Sequence, residues 1–170
     1  EVHANGYGGG IRAITATKGI IENCTIIGNK AGGSSRGGGI FFQDNGATVT
    51  NTICMFNIEA GTSSNYHEFT AGALSFSYSC TAPLVTGDDD GGGNIAVNPL
   101  FMDAGSGHGT NHVLGDLRLN PGSSCKNTGA NLAWMTNSVD LAGEPRIAFG
   151  RADMGAYEVV QVAGSVIAVR

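Results

Sequence analysis

Apolar and polar residues alternate over Ala73–Cys80, with Leu74, Phe76, Tyr78 and Cys80 facing one way and Ser75, Ser77 and Ser79 the other. That period of two predicts a half-buried strand. Other segments are rich in Ile, Val, Thr and Phe and are interrupted at short intervals by Gly or Asn, which reads as short strands joined by tight turns. The pattern repeats. Laying Gly19–Asn29 (GIIENCTIIGN) over Ala47–Asn57 (ATVTNTICMFN) sets Asn23 on Asn51, Asn29 on Asn57, Ile21 on Val49 and Ile26 on Cys54, an offset of 28 residues. Glycine triplets at Gly8–Gly10 and Gly37–Gly39, each followed by Ile, lie 29 residues apart, so one repeat carries a single-residue insertion.

Repeats of this length indicate a solenoid, a propeller or an array. A 28-residue unit with three short strands and an asparagine recurring at one turn predicts an all-β fold, a parallel β-helix (solenoid) of a few coils stacked about 4.8 Å apart. Asparagine tolerates the left-handed backbone of a tight turn, and Asn23 with Asn51 and Asn29 with Asn57 are expected to form side-chain ladders between coils. Ile21 with Val49 and Ile26 with Cys54 are expected to stack inside. The glycine triplets mark a turn where coils pack too closely for a Cβ.

Regular coils are expected to about residue 100, with a polar excursion at Gly61–Phe69 (GTSSNYHEF). Residues 101–158 read as an atypical last coil and a C-terminal cap, completing a single domain over 1–158, and 159–170 read as a strand-like tail. The chain opens at Glu1 directly into a coil, so it is expected to be a trimmed piece whose N-terminal end is covered by upstream coils or by another subunit.

Composition narrows the partners. Glycine is 28 of 170 residues and proline only 4, which fits a turn-dense folded chain rather than a collagen-like or disordered one. Charged residues make up 14%, with 14 acidic against 9 basic and no basic cluster, which argues against nucleic acid and anionic membrane surfaces. No apolar run approaches the roughly 20 residues of a membrane-spanning helix.

Three later segments are more specific: Gly93–Asp103 (GNIAVNPLFMD), Gly115–Ala130 (GDLRLNPGSSCKNTGA) and Asp140–Glu158 (DLAGEPRIAFGRADMGAYE). The repeats resemble those of right-handed parallel β-helix proteins. These three segments resemble the end of bacterial secreted and surface proteins in which a β-helix precedes variable anchoring sequences, the choice-of-anchor group. The resemblance implies an extracellular or cell-surface rod, a non-catalytic module acting as stalk, adhesin or glycan-contacting surface, with a polysaccharide or cell-surface glycan as partner. It implies no settled activity, because parallel β-helices host lyases, hydrolases, adhesins and stalks alike. Export also permits disulfides, and Cys80 and Cys125, both beside family-like turns, are candidates for one bridge. Cys24 and Cys54 lie two positions out of register and read as small buried residues.

An enzymatic alternative rests on Gly87–Asp90 (GDDD), Gly107–Gly109 (GHG) and Pro145–Ile147 (PRI), which in this order are similar to the polygalacturonase pattern. That resemblance implies a polysaccharide-degrading glycoside hydrolase with Asp88 and Asp89 as acid and base and His108 and Arg146 in support. No Asn-Thr-Asp precedes the aspartates, and Ala148 stands where that pattern has a lysine. A lyase is a weaker alternative, since the only lysines are Lys18, Lys30 and Lys126. Asp88, Asp89 and Asp90 also read as oxygen ligands for calcium on a glycine-rich loop, and no other cofactor is expected. Against catalysis stands a structural reading in which Arg146, Asp153 and Glu158 form a charge network holding the cap together. Glycan contact falls to Tyr66, His67 and Phe69 in the polar excursion. Tyr7 is a further aromatic candidate, while Phe41 and Trp134 read as core.

Overall fold

The computed structural model describes residues 8–14, 18–33, 37–43 and 46–160. Tyr7 and all but the first two residues of the 159–170 tail lie outside them. Twelve short strands run in chain order. The first coil holds β1 (Ile11–Ala13), β2 (Gly19–Glu22), β3 (Thr25–Ile26) and β4 (Lys30–Ala31), and the second holds β5 (Ile40–Phe42), β6 (Ala47–Thr50), β7 (Ile53–Cys54) and β8 (Ile58–Glu59). A hairpin strand, β9 (Thr62–Ser63), precedes the third coil, made of β10 (Tyr66–Glu68), β11 (Leu74–Ser77) and β12 (Cys80–Thr81).

Equivalent strands stack in parallel, as expected of a β-helix. Sheet A is β1-β5-β10, sheet B is β2-β6-β11, sheet C is β3-β7-β12, and sheet D joins β4 and β8 in parallel with β9 antiparallel at its edge. Four sheets therefore replace the three strands per coil expected from the sequence. The difference lies at the corner between sheets B and C, where Asn23, Asn51 and Tyr78 take φ of 48°, 51° and 48° and split each expected strand in two. Tyr78 thus leaves the alternating strand and occupies the corner held by asparagine in the first two coils. Ser79, expected outside, is fully buried and donates to the carbonyls of Val49 and Ser77.

Register follows the repeat. Ile21 pairs with Val49 and Ile26 with Cys54, and both stacks lie in the inner core with Ile40, Phe42, Leu74 and Phe76. Ile11 pairs with Ile40 at the offset of 29, and the extra residue falls between β1 and β2. At the glycine triplets a Cβ on Gly9 would stand 2.1 Å from the Gly38 carbonyl oxygen, and one on Gly39 would stand 2.4 Å from that of Asn65. No side chain fits at that spacing.

The ladders form as well. Asn29 donates from its backbone and side-chain amides to Asn57 Oδ1 at 3.0 and 2.9 Å, and Asn57 Nδ2 donates onward to Asn65 Oδ1 at 3.2 Å. Asn51 Nδ2 donates to Asn23 Oδ1 at 3.3 Å and to the Ala130 carbonyl at 2.8 Å.

After β12 the path shortens. Phe76 bridges to Asp90 and Cys80 to Ile95, both in parallel, so a fourth rung begins only 14 residues after the third. A full circuit takes 26–29 residues, so residues 82–89 cut across the mouth of the coil, and Val85 drops into the inner core with Leu74 and Phe76. The end of the coil is closed there. Residues 101–158, read from the sequence as an atypical last coil and a C-terminal cap, pack along the outside of sheet C. Leu119, Cys125 and Met154 pack with Ile53, Met55 and Cys80 in a second buried cluster. The flank reaches back to the first coil, where Ala156 N donates to Thr25 Oγ1 at 3.0 Å and Gly109 N donates to the Gly28 carbonyl at 2.7 Å.

Candidate functional site

The four residues of the hydrolase pattern do not gather round one point. Asp88 and Asp89 lie in the 3-10 turn Gly87–Asp89, within the crossover beyond the third coil. His108 stands beside the first coil, next to Gly28 and Phe56 in a cleft of about 260 Å³ that also holds His112. At about 4.8 Å per coil the aspartates and His108 are separated by at least two coil spacings, on the order of 10 Å. Arg146 is buried, with Nη1 donating to the Gly155 carbonyl and to Glu158 Oε1.

Nor do the three aspartates converge as a calcium loop would require. Asp90 Oδ1 accepts from Gly92 N at 2.9 Å and Asn94 Nδ2 at 2.7 Å, Asp88 is exposed, and Asp89 turns to Glu68. No cluster of three metal-binding side chains occurs among the described residues. No helix among them is long and apolar enough to cross a membrane.

What the crossover does assemble is a carboxyl pair. Tyr66 and Glu68 are both inward positions of β10. The Tyr66 ring packs on Phe76 at 4.8 Å between centroids, and the Glu68 carboxylate accepts from Leu74 N at 3.1 Å. Asp89 descends from the crossover into hydrogen-bond contact with Glu68, and its Oδ1 is enclosed without a partner. Burial, followed by the Glu68 carboxyl, pushes Asp89 up to about 6. Burial, with Asp89 and Glu68 adding to it, also raises the Tyr66 phenol. The sequence missed Glu68, although a period of two counted from Tyr66 places it inside.

The excursion expected to carry glycan contacts is therefore partly a coil strand. Tyr66 points inward. His67 points outward on sheet A, in register with Phe41, and the two rings stack at 5.9 Å with an interplanar angle of 11°. Phe69 follows on the same side, pinned by its amide to the Phe42 carbonyl at 2.9 Å, with 69% of its surface exposed. Phe41 is buried as expected, but Trp134 is 47% exposed and its indole donates to Glu22 Oε2 at 2.7 Å. Lying on the outside of sheet B, that ring cannot enter a core already filled by Ile21, Val49 and Phe76.

Arg146, Asp153 and Glu158 meet inside the flank, joined by Asp140, which sequence reasoning did not single out. Asp153 accepts from Asn127 N and Val159 N, Glu158 Oε2 from Asp153 N, and Asp140 from Ala142, Glu144 and Glu158 amides, at 2.6–2.9 Å. One of these three buried carboxyls, Glu158, meets the Arg146 guanidinium, and the other two are held by backbone amides. Burial pushes Glu158 up to about 7 and raises Asp153.

Comparison of the chain with protein-family models, with curated proteins and with solved structures finds no match.

A pH dependence follows from the raised carboxyls. Asp89 and Glu158 both titrate higher in the folded chain than their ordinary 3.8 and 4.5. The stability each carries is complete below its ordinary value and is lost as pH rises through about 6 and 7. Asp116, held down to about 2 by Arg118, acts below this window. The melting temperature is expected to be higher at pH 5 than at pH 8, and Glu158→Gln is expected to flatten that slope. A Tm that climbs steadily from pH 5 to 8 contradicts this assignment.

Proposed function

We propose that the chain is a non-catalytic extracellular β-helix module of a bacterial surface or secreted protein, a stalk or adhesin segment that meets glycans on the outer face of sheet A. The observation that carries this reading is Phe69, an exposed aromatic ring on a backbone held by its hydrogen bond to the Phe42 carbonyl, beside an imidazole that is itself stacked on Phe41. A ring fixed in this way offers a flat apolar face to a sugar at little cost in side-chain freedom. His67 adds a polar handle next to it. The dispersal of Asp88, Asp89, His108 and Arg146 further supports binding over polysaccharide cleavage.

The test is direct binding to a panel of neutral and uronate polysaccharides, read beside release of new reducing ends. Phe69→Ala is expected to weaken binding at least tenfold while shifting the melting temperature by no more than about 2 °C, because an exposed side chain carries little stability. His67→Ala is expected to weaken it less. Absence of binding across the panel, or binding untouched by both substitutions, overturns the reading. Release of reducing ends that Asp89→Asn abolishes overturns it in favour of a hydrolase.

A further inference from the structure

We infer that Cys80 and Cys125 are the two halves of a disulfide that fastens the flank to the third coil. The structure carries four free thiols, and these two share one buried cluster. Cys80, at the start of β12, faces out of the coil beside Ile53, while Cys125 comes from the flank segment that covers sheet C. Neither is exposed at all. The side chains of Cys80 and Cys125 are in contact within this cluster, which lowers the Cys80 thiol and raises that of Cys125, and Cys80 Sγ also lies 3.2 Å from the Val97 carbonyl.

Both backbones are held. Cys80 pairs with Ile53 on one side and bridges to Ile95 on the other. Cys125 N donates to Ser123 Oγ at 3.0 Å, and its carbonyl accepts from Met154 N at 2.9 Å. The two sulfurs therefore meet through fixed elements rather than through mobile loops. The two remaining thiols belong to the inner core, Cys54 within it and Cys24 packed against it, whereas Cys80 and Cys125 share the cluster on the outside of sheet C.

The bond requires a two-electron oxidant, and a small-molecule or protein disulfide supplies it. Cys80 as thiolate displaces one thiol from the donor and forms a mixed disulfide. Cys125, having given up its proton, then attacks the Cys80 sulfur and releases the second thiol. One S–S bond forms as the donor's breaks, and two thiols leave. Because both sulfurs are enclosed in the finished fold, this exchange runs before the flank closes on sheet C. Afterwards the bond is out of reach of a reductant that cannot open the flank.

The experiment folds the whole chain in a glutathione redox buffer, alkylates it under denaturing conditions and maps the peptides by mass. The expected product is lighter by two hydrogens before alkylation, carries label on Cys24 and Cys54, and yields one linked peptide pair containing Cys80 and Cys125. A loop of 45 residues is closed, so reduction is expected to lower the melting temperature by roughly 5–15 °C. Cys125→Ala should melt at the same temperature with and without reductant. Four labelled thiols after oxidative folding, a linked peptide carrying Cys24 or Cys54, or a Cys125→Ala variant that keeps its sensitivity to reductant overturns the inference.

Discussion

Asn57→Ala is expected to destabilise the fold by roughly 3–5 kcal/mol, a large share of the 5–15 kcal/mol that holds a typical domain. The side chain is wholly enclosed, and its Nδ2 donates to the carbonyls of Ile26 and Met55 and to Asn65 Oδ1, at 2.8, 2.9 and 3.2 Å. Its Oδ1 accepts from both amides of Asn29. Alanine leaves the Met55 carbonyl and the Asn29 backbone amide without these partners, strips the Ile26 carbonyl of one of its two donors, and each orphan costs about 1–3 kcal/mol. Urea unfolding should show the midpoint falling with the slope unchanged. Asn23→Ala is the control. There the side chain makes one long bond and Nδ2 already lacks a partner, so its loss should cost about 1 kcal/mol. Equal costs for the two substitutions contradict the ladder as drawn.

Arg146→Met carries the second large effect. It removes the guanidinium paired with the buried Glu158 carboxylate, and breaking a buried pair from one side costs about 3–5 kcal/mol. For a chain of this size that corresponds to roughly 6–20 °C in melting temperature. The loss should be greater at pH 8, where Glu158 is ionised, than at pH 5, where it is protonated. Adding Glu158→Gln should recover part of it at pH 8 and little at pH 5. A loss independent of pH would assign Arg146 to packing rather than to charge.

The coils could be read from the sequence because their corners demand particular backbones. Asn23, Asn51 and the glycine triplets recur since few other residues tolerate a left-handed φ or an absent Cβ at those points, and the period of 28 follows from them. What lacks such a constraint was hidden. The two-residue strands β3, β4, β7 and β8 are too short to display any period, so the fourth sheet left no trace. Tyr78 gave no sign that it would replace an asparagine at a corner, because its own alternation with Phe76 and Cys80 argued for a strand.

The flank was the least legible part. It is positioned by single contacts across great sequence distance, as when Ala130 N donates to Asn51 Oδ1 and Ala156 N to Thr25 Oγ1, and no local pattern announces either. The same holds at the candidate site. Phe69 and His67 were singled out from a polar stretch, yet their neighbour Tyr66 turned inward because the stretch is half strand. The Asp89–Glu68 pair was missed because it joins an apparent loop to the inner face of β10.

The crossover at 82–89 also sets the rules of assembly. A parallel solenoid with two open mouths can add copies of itself end on end, a heterologous contact that propagates into a fibre. Here one mouth is stoppered by the chain's own Val85, so a copy that docks by its opposite end finds no matching rung to extend. Head-to-tail growth is barred.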